Sequence, residues 1–295
     1  MRITQTTIAS TFLNNINDTR ERINDEQTEL ASGKRVMKVS DDPVATNTIL
    51  RLKAFLGNNA QYQKNNAQAQ TQAEATESAL SSFSDLMVSL KGVLSQATNG
   101  ANTADYKTYS DQVDELLSQA VELGNTQSNG VYIFGGTNTK QQPFTLAADH
   151  STVTANPNGI TGTIQYPVNE GVTQTVNIDG QQAFQGTAIF ELMINVKNEL
   201  EAGQAPTTAE SQSVDGFLSS VTAATGKAGA MIQDLDNNDT QLAAQQTQLQ
   251  QLLSVQQDSD VAETTIKMNQ DQLELQAALS SGASVLPKTL LDFLR

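Results

Sequence analysis

The residue types able to do chemistry are sparse in this chain and stand apart from one another. There is a single histidine, His150, directly after Asp149, and no cysteine. Disulfides, thiolate catalysis and Cys-based metal sites are therefore excluded together, and one histidine cannot build a His-rich zinc site. No serine stands in a nucleophile-elbow pattern, and His150 reads as a residue of a solvated loop. Asp41 and Asp42 are adjacent carboxylates of the kind that general acid–base catalysis uses, but Pro43 follows them directly. Ser40-Asp41-Asp42-Pro43 then reads as a helix start. An Asp side chain caps free amide hydrogens, and Pro takes the first helical position, where its missing N–H costs nothing. Gly135-Gly136 lacks the spacings that wrap phosphates and reads as a turn. The expectation is no enzyme, no cofactor and no metal.

What remains is the chemistry of burial. Ile16, Ile23 and Leu30 recur every seven residues near the start, with Phe12 and Leu13 beside them. Val261, Met268 and Leu275 do the same near the end, followed by Leu279, Leu286, Leu291 and Phe293. A sustained seven-residue apolar repeat makes a seam that must face another helix. Neither stretch has enough apolar surface to fold alone, and a chain end without a partner frays. The two ends are expected to partner each other and to be completed by neighbouring copies. Ile16, Ile23, Leu30, Met268, Leu275, Leu279, Leu286, Leu291 and Phe293 are the expected inter-subunit packing residues.

Composition sets the kind of core these seams can join. Of 295 residues, 38% are hydrophobic and 5% aromatic, with no Trp; even with glycine counted, the apolar share stays below the roughly 45–50% of ordinary domains. Gln, Asn, Ser, Thr and Ala fill the difference, which suits long, narrow helical bundles. The net charge of -15 repels phosphate backbones and anionic membrane surfaces, so nucleic acid is a poor partner. Charged residues are 17% of the chain and the heptads are regular, so acidity does not imply disorder. No stretch is long and apolar enough to span a bilayer, and the N-terminus lacks the apolar run of a secretory signal. Export, if it occurs, is expected to use a route without a cleaved signal.

The fold class expected is mainly α: an elongated helical coiled-coil rod formed by N- and C-terminal segments together, with a small β-rich inserted domain. A first helix ends at Ser32-Gly33-Lys34-Arg35, where Gly can take a left-handed cap and the basic pair suits a helix C-terminus. A very long helix runs from Pro43 to Thr98, with Leu80, Met87 and Leu94 on one line and Phe83, Leu90 and Ala97 on the other. A helix from Ala104 to Leu123 has Tyr106, Val113 and Ala120 on one line and Tyr109, Leu116 and Leu123 on the second. After Gly130 the period becomes strand-like, with a hairpin loop at Asn169-Glu170-Gly171 and Val172, Val176 and Ile178 on one face of a strand. An amphipathic helix follows around Ile189 to Leu200. Thr207 and Glu210 form a capping box, and behind them runs the heptad Val214, Val221, Ala228, Leu235, Leu242 and Leu249. That register breaks before Val261. The expected parts are 1–40 and 256–295 as the two halves of a terminal domain, 41–140 and 205–255 as the rod, and 141–204 as the insertion. Both termini should lie at one end of the rod.

These motifs carry a resemblance. Ser32-Gly33-Lys34-Arg35 followed by Ser40-Asp41-Asp42-Pro43-Val44-Ala45 resembles the N-terminal signature of the flagellin superfamily. Gln61-Tyr62 with Asn65, Asn125-Thr126, Gly130 to Gly136 with Pro143-Phe144, Ala277 to Gly282, and Leu290 to Leu294 are similar to its hook–filament junction branch. The likeness covers residues 1–144 and 205–295. Filament flagellins more often carry a DDAAG-like sequence where this chain has SDDP, yet flagellin remains the rival reading. The resemblance implies a structural subunit of the bacterial flagellum, exported unfolded through the flagellar type III apparatus and lying outside the cell. It implies as partners a ring of like subunits, the first hook-associated protein, flagellin and a cytoplasmic export chaperone, with neither nucleic acid nor membrane insertion. A soluble binding module with a ligand for the β insertion stays open beside it.

Overall fold

The computed structural model describes residues 5–99 and 103–285. The chain is mainly helical: α1 (Gln5–Ser32), α2 (Pro43–Thr98), α3 (Thr103–Gly124), α4 (Gly180–Phe184), α5 (Ala188–Glu201), α6 (Thr208–Gln257) and α7 (Val261–Val285). Three two-stranded antiparallel hairpins lie between α3 and α4: β1 (Gln127–Ser128) with β2 (Val131–Tyr132), β3 (Phe144–Leu146) with β4 (Val153–Ala155), and β5 (Gln165–Asn169) with β6 (Val172–Thr175). The chain divides into two compact units, one of Met1–Gly57 and Gln246–Arg295, the other of Asn58–Gln245.

Helix boundaries follow local chemistry. Gly33 takes φ +69° and its N–H donates to Glu29 O at 2.8 Å, which ends α1. The capping box forms: Thr207 N–H donates to Glu210 Oε2 at 2.7 Å, and Glu210 N–H donates back to Thr207 Oγ1 at 3.3 Å. The register break before Val261 is a true chain break in the helix, since α6 stops at Gln257 and α7 starts afresh.

In the second unit the heptads become core. Leu80, Phe83, Met87, Leu90, Leu94 and Ala97 of α2 are buried, as are Val214, Val221, Ala228, Leu235 and Leu242 of α6. Helix α3 differs from expectation. Val113, Leu117, Ala120 and Val121 are its buried stripe, while Tyr109, Leu116 and Leu123 are only half-buried. The reason is its partner: α3 packs on α5 and β3, which turns its buried face by about one position.

Aromatic side chains join the helices to the β segments. Phe184 lies at ring-centroid distances of 4.8 Å from both Phe83 and Phe134, 5.6 Å from Phe144 and 5.8 Å from Phe190. It is presented by α4, a one-turn helix that the apolar pattern did not reveal. Asp179 caps α4 by accepting Gln182 N–H at 2.8 Å, and its other oxygen accepts Gly162 N–H at 3.0 Å.

Turn chemistry sets the hairpins. Asn129 and Gly130 both take positive φ, 52° and 78°, as a two-residue turn between β1 and β2 requires. Gly136 also has positive φ, and a Cβ there would collide with the Thr161 backbone. Strand β6 is shorter than expected. It stops at Thr175, leaving Val172 exposed and Val176 and Ile178 buried in the irregular segment beyond. A register irregularity between Pro167 and Asn169 accompanies this, where proline cannot donate to the ladder.

Removing Phe184 is expected to cost about 3–5 kcal/mol. Phe184→Ala should lower the urea midpoint of the unfolding transition accordingly, whereas Phe55→Ala, at an exposed residue of the first unit, should shift it by less than about 0.5 kcal/mol.

Candidate assembly surface

In the first unit, the ends of four helices meet at two short linkers. Arg35 N–H donates to Gln257 O at 2.8 Å, Ser259 N–H donates to Gly33 O at 3.0 Å, and Lys34 bridges Asp258 in antiparallel fashion. The Arg35 guanidinium donates to Gln256 O at 3.2 Å, so it serves the C-terminus of α6 rather than that of α1. Asp42 Oδ1 accepts the N–H groups of Val44 and Ala45 at 3.1 and 2.9 Å, capping α2 with Pro43 in its first position. Asp41 faces the other way, accepting Met37 and Lys38 N–H at 3.0 and 2.8 Å, and Ser40 Oγ donates to it at 3.4 Å. Asp260 caps α7 through Ala262 and Glu263.

This geometry decides against acid–base use of the two carboxylates. The Lys38 and Met37 amides hold Asp41 below the usual carboxylate range, and the Ala45 amide does the same for Asp42. A catalytic dyad would raise one of the two. Below the linkers sits a small core of Val36, Ala45 and Ile49, with Leu253 against it.

Helices α1 and α7 pack antiparallel, since Glu29 meets Ser259 and Thr264, Arg22 meets Asp271 and Glu274, and Phe12 meets Gly282. Glu29 Oε1 accepts Ser259 Oγ at 2.7 Å and Thr264 Oγ1 at 3.2 Å. Arg22 bridges Asp271 at 2.8 Å and Glu274 at 3.0 Å. Phe12 lies so close to Gly282 that a Cβ would overlap its ring. Of the expected packing residues, Ile16 is buried inside this pair, while Ile23, Leu30, Met268 and Leu275 are half-buried in it. Leu279 is 47% exposed. Leu286, Leu291 and Phe293 lie outside the described residues.

The apolar surface is distributed very unevenly. Of 14 exposed large apolar residues among those described, 12 belong to the first unit, which supplies only four of the 42 buried ones. Leu13, Leu50, Phe55, Val255, Ile266 and Leu273 are all about half exposed or more. The heptad reading missed Ile266 and Leu273. They too are seven apart, but offset by two positions from Met268 and Leu275, so they form a second apolar line on α7.

His150 is not the free loop residue expected. Its Nδ1 donates to Asp114 Oδ2 at 2.8 Å, and Lys197 Nζ, on a side chain only 8% exposed, lies 3.2 Å from Asp114 Oδ1. Lys197 also donates to His150 O at 3.2 Å. The cluster clamps the β3–β4 turn to α3 and α5. Burial by itself raises the Asp114 carboxyl, but the hydrogen bonds from His150 and Lys197 outweigh it and hold the group below its ordinary range. No cluster of three or more His, Cys, Asp or Glu residues able to hold a metal occurs among the described residues.

Comparison with known proteins adds an independent line. Residues 3–139 match the bacterial flagellin N-terminal helical region. Flagellar hook-associated protein 3 of Escherichia coli (strain K12) is 30% identical over 118 residues, which cover 39% of this chain and 37% of that protein. Flagellar hook-associated protein 3 of Salmonella typhimurium is 27% identical over 158 residues, covering 53% and 48%. The match thus spans less than half the length of both relatives. The crystal structure of flagellar hook associated protein-3 from Legionella pneumophila shares the fold at a TM-score of 0.63 and 15% identity, over 70% of this chain and 98% of that one.

Removing Asp114 strands a buried ammonium. Asp114→Ala is expected to destabilise the second unit by about 1.5–3 kcal/mol, the range for a hydrogen bond to a charged group, whereas Lys197→Met should be close to neutral because the stem still packs. Since the folded carboxyl titrates below its unfolded value of about 3.9, the difference between wild type and Asp114→Asn should be full above about pH 5, begin to fall near pH 4 and be lost only as pH drops through the lower folded value. Urea titrations across that range measure it.

Proposed function

We propose that the chain is a member of the flagellin superfamily and a structural subunit of the bacterial flagellum, forming the junction between the first hook-associated protein and the filament by polymerisation of its terminal helices; the match of residues 3–139 to the bacterial flagellin N-terminal helical region supports this. The observation that carries this reading is the crowding of exposed apolar side chains onto a unit with almost no core of its own. Relatives named flagellar hook-associated protein 3 support the same assignment.

The mechanism rests on a near balance. Full burial of a Leu or Ile contributes about 1.5–3 kcal/mol, while fixing one residue's backbone costs about 1–2 kcal/mol. In the free subunit, α1 and α7 bury few large side chains against each other, so these terms nearly cancel. Neighbouring copies that cover Leu13, Ile266, Leu273 and Leu279 add burial at little further ordering cost. Folding of the ends is then coupled to assembly into a ring of like subunits, with the first hook-associated protein on one side and flagellin on the other.

Export fits the same physics. Ends that are loose until docked can thread a narrow type III channel, and apolar seams that wait for partners call for a cytoplasmic chaperone. The function is burial rather than catalysis. No described helix is long and apolar enough to cross a membrane.

Deleting the gene should leave hooks without filaments while flagellin accumulates in the medium. Loss of filaments with no flagellin secreted would instead favour the chain being the filament subunit. In complementation, Leu279→Asp and Leu275→Asp should reduce incorporation at least tenfold while the second unit stays folded by circular dichroism, and Val172→Asp, on an exposed hairpin residue of that unit, should restore filaments. Normal filaments with Leu279→Asp and Leu275→Asp would refute the assignment of the packing surface.

A further inference from the structure

The tip of the β1–β2 hairpin, the turn at Thr137 to Thr139 and strand β5 close over one face of α2, leaving a cavity of about 290 Å³. It lies wholly within the second unit and has no part in the assembly reading. Gln68 and Gln72, one helical turn apart on α2, line it from below. Asn65, nearby on the same helix, spends its amide on structure by donating to Pro167 O at 2.8 Å. Gln72 does not. It is only 8% exposed, yet among the described residues its side-chain amide has no hydrogen-bond partner, and neither has that of Gln68. The Gln72 amide is not sealed off but opens onto the cavity, where it is free to bond whatever enters.

The walls define what that is. No lining residue is charged, so an ionic ligand would meet no counter-charge there. The amides of Gln68 and Gln72 and the hydroxyls of Ser128 and Tyr166 can each both donate and accept, the pattern that neighbouring sugar hydroxyls answer. Tyr166, half-buried beside Ile164 and Val131, adds a flat apolar wall suited to the C–H face of a pyranose. The volume is at the low end of the ~300–1,000 Å³ of ligand pockets, room for one ring.

We propose that this cavity binds one ring of an uncharged saccharide, held by the Gln68 and Gln72 amides and stacked on Tyr166. The β hairpins thereby have a recognition role distinct from assembly.

Saturation-transfer NMR on the full chain with glucose, galactose, N-acetylglucosamine and glucuronate tests this. Transfer to at least one neutral sugar but not to glucuronate is expected, weakened at least tenfold by Gln72→Leu and by Tyr166→Leu. Transfer to N-acetylglucosamine alone assigns the ligand to wall-type amino sugars, and transfer to the hexoses alone assigns it to plain glycans. Because a ligand-facing amide is not part of the fold, Gln72→Leu should melt no lower than wild type. Absence of transfer to every neutral sugar, equal transfer in Gln72→Leu, preference for glucuronate, or a lower melting temperature of Gln72→Leu would each overturn the proposal.

Discussion

Helices α1 and α7 have too little apolar surface between them to close a core, and the rest of the first unit is organised around that deficit. Among the described residues, Ile16 is the one large side chain that the pair buries. The remainder of the seam is half-buried aliphatics, hydroxyls gathered on Glu29, and the Arg22 ion pairs with Asp271 and Glu274. Exposed ion pairs add little to stability but do fix register. A pair built this way keeps its partners aligned while leaving most of its apolar side chains available. That is the physical state a subunit needs if its ends are to be finished by copies of itself.

The second unit solves the opposite problem. Its long helices are rich in Ala, Ser and Gln, and a bundle of such helices alone would be thin. Five phenylalanines, brought from α2, α4, α5, strand β3 and one loop, supply the missing volume around Phe184. Edge-to-face ring contacts contribute beyond their area, so a chain with few aromatics concentrates them where the hairpins must be held to the helices. The Asp114–His150–Lys197 cluster does the same work in polar form. With the hairpins fixed so firmly, a neutral pocket between them and α2 can keep its shape.

Charge is placed with the same economy. Asp41, Asp42 and Asp260 are all turned onto backbone amides at linkers and helix starts, where a carboxylate satisfies donors that would otherwise face solvent or each other. The acidity of the chain is thus partly a supply of caps. It also makes two copies of the chain repel at long range through their like net charge.

Features governed by neighbours in sequence were legible from sequence alone. The Asp42-Pro43 start, the Gly33 stop, the Thr207–Glu210 box and the break before Val261 all depend on contacts within about four residues, so their boundaries could be read directly. The heptads of α2 and α6 were also legible, because a seven-residue repeat dictates one buried face whatever the partner. Where two apolar lines compete, as on α3 and α7, the partner helix chooses between them, and sequence could not say which. The pairing of β3 with β4, the ring contacts of Phe184, the capture of His150 by Asp114 and the cavity lined by Gln72 and Tyr166 join residues far apart in the chain. Nothing local distinguishes those residues from solvated ones, so only tertiary packing decides what each of them meets.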